Sequence, residues 1–355
     1  MQPTDRQFMD LALRMGRRNL GATAENPSVG CIIVKNGLIV GRGVTAPGGR
    51  PHAETQALDQ AGPDASGATA YVTLEPCAHY GRTPPCCDAL IAASIGRVVI
   101  AVGDPDPRTR GKGTEKMRAA GIVVDEGLCE AEGRTDLAGY LSRMERGRPW
   151  VTLKLAVSKD GMIAEQPGAQ TAITQEAALR QSQIMRSQSD AILVGAGTVR
   201  SDDPSLTCRL PGLEARSPVR VVMGGTVEDL AGTKLAETAQ DVPVWWMGRG
   251  EVSSDVERID AALNEAGEVD LHAAMAELGA RGIGHLLVEG GAKVAASFLK
   301  SGLVDHVVLF TAPHKLGPKG VRAPIELLSG DEFNAHAPIL LGVDEMRVYD
   351  RAEEE

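Results

Sequence analysis

The chemistry of this chain is concentrated between Pro51 and Cys87. The stretch opens with Pro51-His52-Ala53-Glu54 and closes with Glu75-Pro76-Cys77-Ala78-His79-Tyr80-Gly81-Arg82-Thr83-Pro84-Pro85-Cys86-Cys87. One histidine and two separated cysteines (His52, Cys77, Cys86) supply the three protein ligands of a catalytic zinc, with the fourth position left for water. Glu54, two residues after the histidine, is a carboxylate able to move protons for that water without binding the metal. A structural zinc would want a fourth protein ligand. Cys87 is the candidate, although adjacent cysteines reach one ion only with strain. Blander still, His52 is a satisfied core histidine and the cysteines are inert buried thiols. Four residue types recurring in order favour the catalytic site.

A His-x-Glu followed by Pro-Cys and a later Cys is the pattern of zinc-dependent nucleobase deaminases. The elements that must position it read as follows. Residues 4–19 form an amphipathic helix with Thr4 as N-cap and Phe8, Leu11, Ala12 and Met15 on one face. Asn26-Pro27-Ser28-Val29-Gly30 turns into a strand over 31–34, and Asn36-Gly37 signals a hairpin to a strand over 38–43. A loop with Pro47, Gly48 and Gly49 delivers the chain to His52, and 53–61 is helical with Glu54 in its first turn. A strand over 70–74 ends at Glu75. Pro76 suits the first position of a helical turn, which places Cys77 at a helix N-terminus where thiolate is favoured. Pro84-Pro85 repeats the device for Cys86 and a helix through Ala93. A strand over 97–102, a helix over 114–120 and a strand over 122–124 complete a three-layer α/β/α domain.

Composition bounds the rest. With 355 residues, two domains are the default, and 43% hydrophobic with 24% charged residues is a soluble globular balance. Aromatic residues make up only 3%, so Ala, Val, Leu and Ile must build the cores. No apolar run reaches the ~20 residues of a membrane span, and the N-terminus lacks a signal-peptide core. Six cysteines in a chain this long show no disulfide-framework spacing, which points to a reducing, cytoplasmic setting. Residues 1–147 carry 17 basic and 17 acidic residues; residues 148–355 carry 20 against 30, the whole net charge of −10. Neither half has the basic surplus that neutralises phosphates along a nucleic acid. Arg14, Arg17 and Arg18 read as a solvated helix face.

Gly147-Arg148-Pro149 marks a boundary, giving domains 1–147 and 148–355. The second half alternates strands (150–157, 191–194, 219–223, 242–247, 285–288, 304–310, 346–349) with helices over 175–187 and 292–301. Glu289-Gly290-Gly291 before a helix is a phosphate-cradling geometry with bare backbone amides, and Gly195-Ala196-Gly197-Thr198 is a second loop of that kind. Glycines there also serve merely to let strand and helix pack. No G-x-G-x-x-G stands in a βαβ context, so a Rossmann domain is not supported. Arg186 and Arg209 suit bidentate phosphate binding, and Asp202-Asp203-Pro204 caps a helix or forms a turn.

These residues carry a resemblance. Asn26-Pro27-x-Val29-Gly30, Pro51-His52-Ala53-Glu54 and the Gly81-Arg82-Thr83-Pro84-Pro85-Cys86 insertion resemble the deaminase half of the bifunctional riboflavin-biosynthesis deaminase–reductases. Asp104-Pro105-Asp106-Pro107 and Gly111-Lys112-Gly113 fit the same pattern. Arg148-Pro149, Val151-Thr152-Leu153-Lys154, Asp160-Gly161, Gly197-Thr198-Val199, Asp202-Asp203-Pro204-x-Leu206-Thr207 and Glu289-Gly290-Gly291 look like the reductase half. The resemblance implies a cytidine-deaminase-like α/β/α domain followed by a dihydrofolate-reductase-like α/β domain. It implies zinc and NADPH as cofactors, phosphorylated pyrimidine substrates and a homo-oligomer. Zinc on His52, Cys77 and Cys86 would activate water, Glu54 would shuttle protons, and Asn26 and His79 would orient the pyrimidine. Ala156, Thr198, Asp202 and the Gly290-Gly291-Ala292 turn would lie on NADPH. Lys154, Arg186, Leu206, Arg209 and Glu289 would hold the sugar substrate. A zinc deaminase of another base, with a non-reducing accessory domain, is the competing expectation. The chain departs from the family's pattern at Thr45, where a histidine is frequent, and at Gln170 and Ala172, where a serine and a tryptophan are common.

Overall fold

The computed structural model describes residues 4–81 and 83–352; Arg82, part of the insertion before Cys86, lies outside them, as does the acidic stretch Glu353–Glu355. The chain divides into two compact units, Met1–Gly147 and Arg148–Glu355.

The first unit contains α1 (Asp5–Gly16), β1 (Gly30–Lys35), β2 (Leu38–Val44), α2 (Ala53–Ala61), β3 (Thr69–Leu74), α3 (Cys86–Ala92), β4 (Arg97–Val102), α4 (Lys112–Ala119), β5 (Val123–Glu126), α5 (Glu130–Asp136) and α6 (Ala138–Arg146). Its five strands run in the order β2-β1-β3-β4-β5. β1, β3 and β4 are buried almost throughout, as continuous apolar strands must be when helices cover both faces of a sheet. Thr4 and Gln7 close a reciprocal capping box at the start of α1. Two glycines set the layer spacing. A Cβ on Gly30 would lie 1.9 Å from the Ala12 carbonyl oxygen of α1, and one on Gly43 would lie 2.0 Å from that of Ala53 in α2. Gly30 and Gly43 occupy opposite faces of the β1–β2 pair, because Gly43 stands opposite Cys31. The helices therefore sandwich the sheet, and Gly43 seats the first turn of α2, directly after His52.

The second unit contains β6 (Trp150–Val157), β7 (Met162–Ala164), α7 (Glu176–Ser187), β8 (Ala191–Gly195), α8 (Ala196–Asp202), β9 (Val219–Thr226), α9 (Lys234–Glu237), β10 (Val244–Arg249), β11 (Glu257–Arg258), α10 (Leu271–Ala280), β12 (His285–Val288), α11 (Ala292–Lys300), β13 (His306–Thr311), β14 (Val321–Arg322), β15 (Phe333–Ala335), β16 (Ile339–Leu341) and β17 (Asp344–Arg351). Its main sheet runs β11-β10-β9-β8-β12-β6-β13-β17-β15, with β16 on β17. The run from β11 to β13 is parallel, and β17 closes it antiparallel to β13. The C-terminal ends of β8, β12 and β6 thus stand side by side, the place where open α/β sheets bind ligands. At the far end, Arg148 grips buried Asp305 through two bonds of 2.7 and 2.8 Å, and Asp305 also accepts the Val151 amide. Among the described residues no helix is long and apolar enough to cross a membrane.

His285, at the start of β12, lies with Nε2 2.8 Å from Thr152 Oγ1. Burial, reinforced by His306, pushes its pKa down to about 4 from 6.5. The folded state thus binds this proton less readily than the unfolded chain. The stability His285 contributes is complete above about pH 6.5 and is lost as pH falls towards about 4. Trp150, Trp245 and Trp246 all lie in the second unit, so tryptophan fluorescence reads that unit. We expect its urea midpoint to fall between pH 6.5 and 4 in the wild type and to fall less in His285→Gln. Equal slopes in the two proteins would contradict this assignment.

Candidate active sites

The first site is built by three segments meeting beneath the C-terminal edge of β3. His52 N-caps α2, Glu54 sits in its first turn, Cys77 follows β3, and Cys86 opens α3 behind Pro85. His52 Nδ1 lies 3.3 Å from Cys86 Sγ and 3.8 Å from Cys77 Sγ. All three donor atoms fall within 4.8 Å of one another, the one such group among the described residues. With Zn–N and Zn–S bonds of about 2.0 and 2.3 Å, a tetrahedral N···S edge is about 3.6 Å, so this donor set fits zinc. Cys87 is outside the group. It is fully buried, and its Sγ faces Asp88 at 3.6 Å, so Cys87 is not a fourth donor.

The helix expected at Cys77 does not form. Residues 75–81 and 83–85 carry no helix, and α3 starts only at Cys86. The loop's geometry is set instead by Glu75, a buried carboxylate that accepts the amides of Asp104, Gly111 and Thr114 at 3.3, 3.1 and 3.3 Å and the Thr114 hydroxyl at 3.4 Å. Cys77 gains its anionic preference from neighbours rather than a helix end. The Cys86 thiol, with His52 and the Cys86 amide at 3.3 Å, holds its pKa at about 4, while burial opposes. The Cys86 thiol moves in the opposite direction, because Cys77 beside it already carries the charge and burial adds to this. Glu54 is only 3% exposed. Burial, then the Cys77 charge, raises its carboxyl to about 7, against the pull of His52.

The surrounding groups are also in place. Gly49 has φ +85°, and a Cβ there would lie 2.2 Å from Asn26 Nδ2, so the bare backbone makes room for the Asn26 side chain on the approach to His52. His79 Nδ1 lies 3.2 Å from Thr109 Oγ1, which ties it to the loop that Glu75 holds. Asp104 is buried, bonded by Tyr140 Oη at 2.8 Å. Thr45, in the place where a histidine is frequent, receives the Val29 amide on Oγ1 at 3.0 Å. Sequence reading missed Glu75 and Thr109 as site-building residues. A strand running into an acidic residue and then proline was the available signal for Glu75; Thr109 had none.

In the second unit, Arg186 near the end of α7 reaches Glu289 at the end of β12 through Nε–Oε1 2.8 Å and Nη2–Oε2 2.9 Å. Lys154 on β6 stands 3.8 Å from the same carboxylate and 5.9 Å from the Phe310 ring. Burial pushes Glu289 up, yet Arg186 and Lys154 outweigh it and hold the carboxyl at about 2. Arg186 Nη1 also donates to Thr207 O at 3.2 Å, and the Arg209 amide donates to Gln183 of α7 at 2.7 Å. Leu206 is buried in an apolar cluster with Ile192, Val199 and Val222, at φ +55°. Ala156 pairs with Phe310, two residues beyond Lys154 on the same strand face.

The two glycine loops converge. Gly195 N-caps α8 and Gly291 N-caps α11, where the sequence reading had a loop over 195–198 in the first case. A Cβ on Gly290 would lie 2.5 Å from Val294 Cβ, and one on Gly195 2.8 Å from Val294 Cγ2, so these two glycines serve packing. Gly291 differs: the nearest atom to its Cβ position is Thr198 Oγ1 at 3.6 Å. Its amide, with that of Ala292, therefore opens a helix N-terminus suited to a dinucleotide pyrophosphate, and the residues fit the group. Asp202 closes α8 with Ser201 Oγ on Oδ1 at 2.7 Å, and among the described residues no hydrogen bond joins it to this turn. Gln170 and Ala172 are exposed.

The two folds and their donor sets define a zinc-dependent deaminase fused to a dihydrofolate-reductase-like reductase. Residues 2–102 match the cytidine and deoxycytidylate deaminase zinc-binding region, and residues 149–349 match the RibD C-terminal domain. Riboflavin biosynthesis protein RibD of Escherichia coli is 40% identical over 333 residues, covering 88% of this chain and 89% of that protein. The Aquifex aeolicus protein of the same name is 41% identical over 315 residues, 88% of each chain. The solved structure of Acinetobacter baumannii RibD superposes with a TM-score of 0.89 at 35% identity, covering 98% of this chain and 99% of that one. A Thermotoga maritima diaminohydroxyphosphoribosylaminopyrimidine deaminase/5-amino-6-(5-phosphoribosylamino)uracil reductase gives 0.87 at 34% identity, covering 98% of each. This chain belongs to the RibD family of bifunctional riboflavin-biosynthesis deaminase–reductases.

Proposed function

We propose that residues 1–147 hydrolyse the ring amino group of 2,5-diamino-6-(5-phosphoribosylamino)pyrimidin-4-one, and that residues 148–355 reduce the ribosyl group of the deaminated product to a ribityl chain with NADPH. The observation that carries the first step is the His52–Cys77–Cys86 triangle with buried Glu54 in the same pocket. His52, Cys77 and Cys86 would hold the zinc, which when bound would supply a water of lowered pKa, nucleophilic near neutral pH. Glu54 takes a proton from the attacking water and gives one to the departing ammonia. Asn26 and His79 orient the pyrimidine by hydrogen bonds.

For the second step, NADPH supplies the hydride when bound. The amides of Gly291 and Ala292 would hold its pyrophosphate, and Gly290, Thr198, Asp202 and Ala156 would lie along the cofactor. Arg186, Arg209, Leu206 and Glu289 would hold the sugar substrate, and Lys154 would sit near the reacting sugar. The protein's part in this step is orientation and exclusion of water. Six free cysteines suit a reducing, cytoplasmic setting.

The test is to incubate the zinc-loaded protein with the diaminopyrimidine ribosylamine phosphate and weigh the products. We expect deamination alone without NADPH, deamination plus reduction with it, and neither after the metal is chelated. Deamination in both tubes with no reduction would replace the second assignment by an accessory domain, with exposed Gln170 and Ala172 the first positions to examine.

A further inference from the structure

Arg220, near the start of β9, is fully buried, and among the described residues no carboxylate stands within ion-pairing distance of it. Its charge is spent on neutral oxygens of three residues in two segments. Nη1 donates to Thr238 Oγ1 at 2.7 Å and to Ser205 O at 3.3 Å; Nη2 donates to Thr238 O at 2.8 Å and closely to Val242 O. Nε has no partner. Burial pulls the guanidinium down to about 10, still charged at neutral pH. Asp241 acts on this charge only from beyond ion-pairing distance; a buried cation with no directly paired anion is expensive, and an apolar side chain of the same volume would fill the space at lower cost.

What the charge secures is the segment after α8. Asp203 and Leu206 both have positive φ, 38° and 55°, on either side of Pro204-Ser205. Non-glycine residues persist there only when their surroundings over-determine them. From Ser205 the linkage reaches the reductase site in one bond, because Arg209 Nη1 donates to Ser205 Oγ at 2.7 Å. We propose that Arg220 is a positioning residue of the reductase: by gripping the Ser205 carbonyl it fixes the Ser205 hydroxyl, and through it aims the Arg209 guanidinium at the sugar phosphate. This rests on the reading of Arg209 as a substrate-holding residue.

Reductase kinetics on the full-length zinc-loaded protein test it, with Arg220→Lys, Ser205→Ala, Arg209→Ala and the double variants. Arg220→Lys and Ser205→Ala each raise KM for the sugar substrate about tenfold, the scale of one charge-assisted hydrogen bond. KM for NADPH and the deamination rate stay unchanged. In the Arg209→Ala background both effects vanish, because the group they aim is gone. If they multiply with Arg209→Ala, or if kcat and the NADPH KM move with the substrate KM, Arg220 is a scaffold residue only and the proposal is overturned. An unchanged KM in Arg209→Ala itself removes the substrate-holding reading, and this proposal with it. Should Arg220→Lys fail to fold, Arg220→Met, which fills the space without the bond to the Ser205 carbonyl, takes its place in the same cycle.

Discussion

Glu54→Gln is expected to lose deamination by about 10²–10⁴-fold while the protein keeps its zinc and its NADPH-dependent reduction. The amide has the shape of the carboxyl and no metal-binding part to play, since the donor set is His52, Cys77 and Cys86. What it lacks is the ability to take up and release a proton. Glu54 is almost wholly enclosed, and burial with the Cys77 charge favours its protonated form, so a bulk-water substitute for the shuttle has little access. Metal content by mass spectrometry or atomic absorption separates loss of the shuttle from loss of the ion. Reduction of the pre-formed deaminated substrate separates it from loss of fold. Near-wild-type deamination with zinc in place would remove Glu54 from the chemistry.

Arg186→Met has the largest expected effect in the second unit. Arg186 and Glu289 are only 11% and 10% exposed and are joined by a two-bond fork. Removing the cation leaves a buried carboxylate with Lys154 at 3.8 Å and only the more distant charge of Arg209 besides. Breaking such a pair costs about 3–5 kcal/mol, and we expect a lower urea midpoint by tryptophan fluorescence together with at least a hundredfold loss in kcat/KM for reduction, that is, about 2.7 kcal/mol or more. Arg186→Lys restores the charge without the planar fork, so it recovers stability more than rate. Deamination is untouched in both variants. A stable Arg186→Met protein with normal reduction would show that the fork is neither structural glue nor part of the substrate site.

The His52–Cys77–Cys86 group, the buried Glu54 proposed to shuttle protons there, and the order of strands and helices were legible in the sequence because they depend on local signals. Alternation of apolar residues marks strands, Thr4 and Pro85 mark helix starts, and a His-x-Glu with Pro-Cys is a short-range pattern. The converse failure is at Cys77, where Pro76 promised a helix. Local propensity lost there because Glu75 draws the amides of Asp104, Gly111 and Thr114 to itself, and the segment follows that buried anchor instead. Glycines show the same divide: the sequence gives their positions, but only the packing tells that Gly290 and Gly195 yield space to Val294 while Gly291 faces a cleft. Arg220 had no sequence signal at all, since a basic residue in a strand reads as a solvated edge. Its role depends on carbonyls at Ser205, Thr238 and Val242, brought to it by the sheet across 15 to 22 residues of chain. Side-chain chemistry and periodicity are properties of a short window; which donors and acceptors meet inside the fold is a property of long-range packing, and it is there that the tertiary structure alone decides.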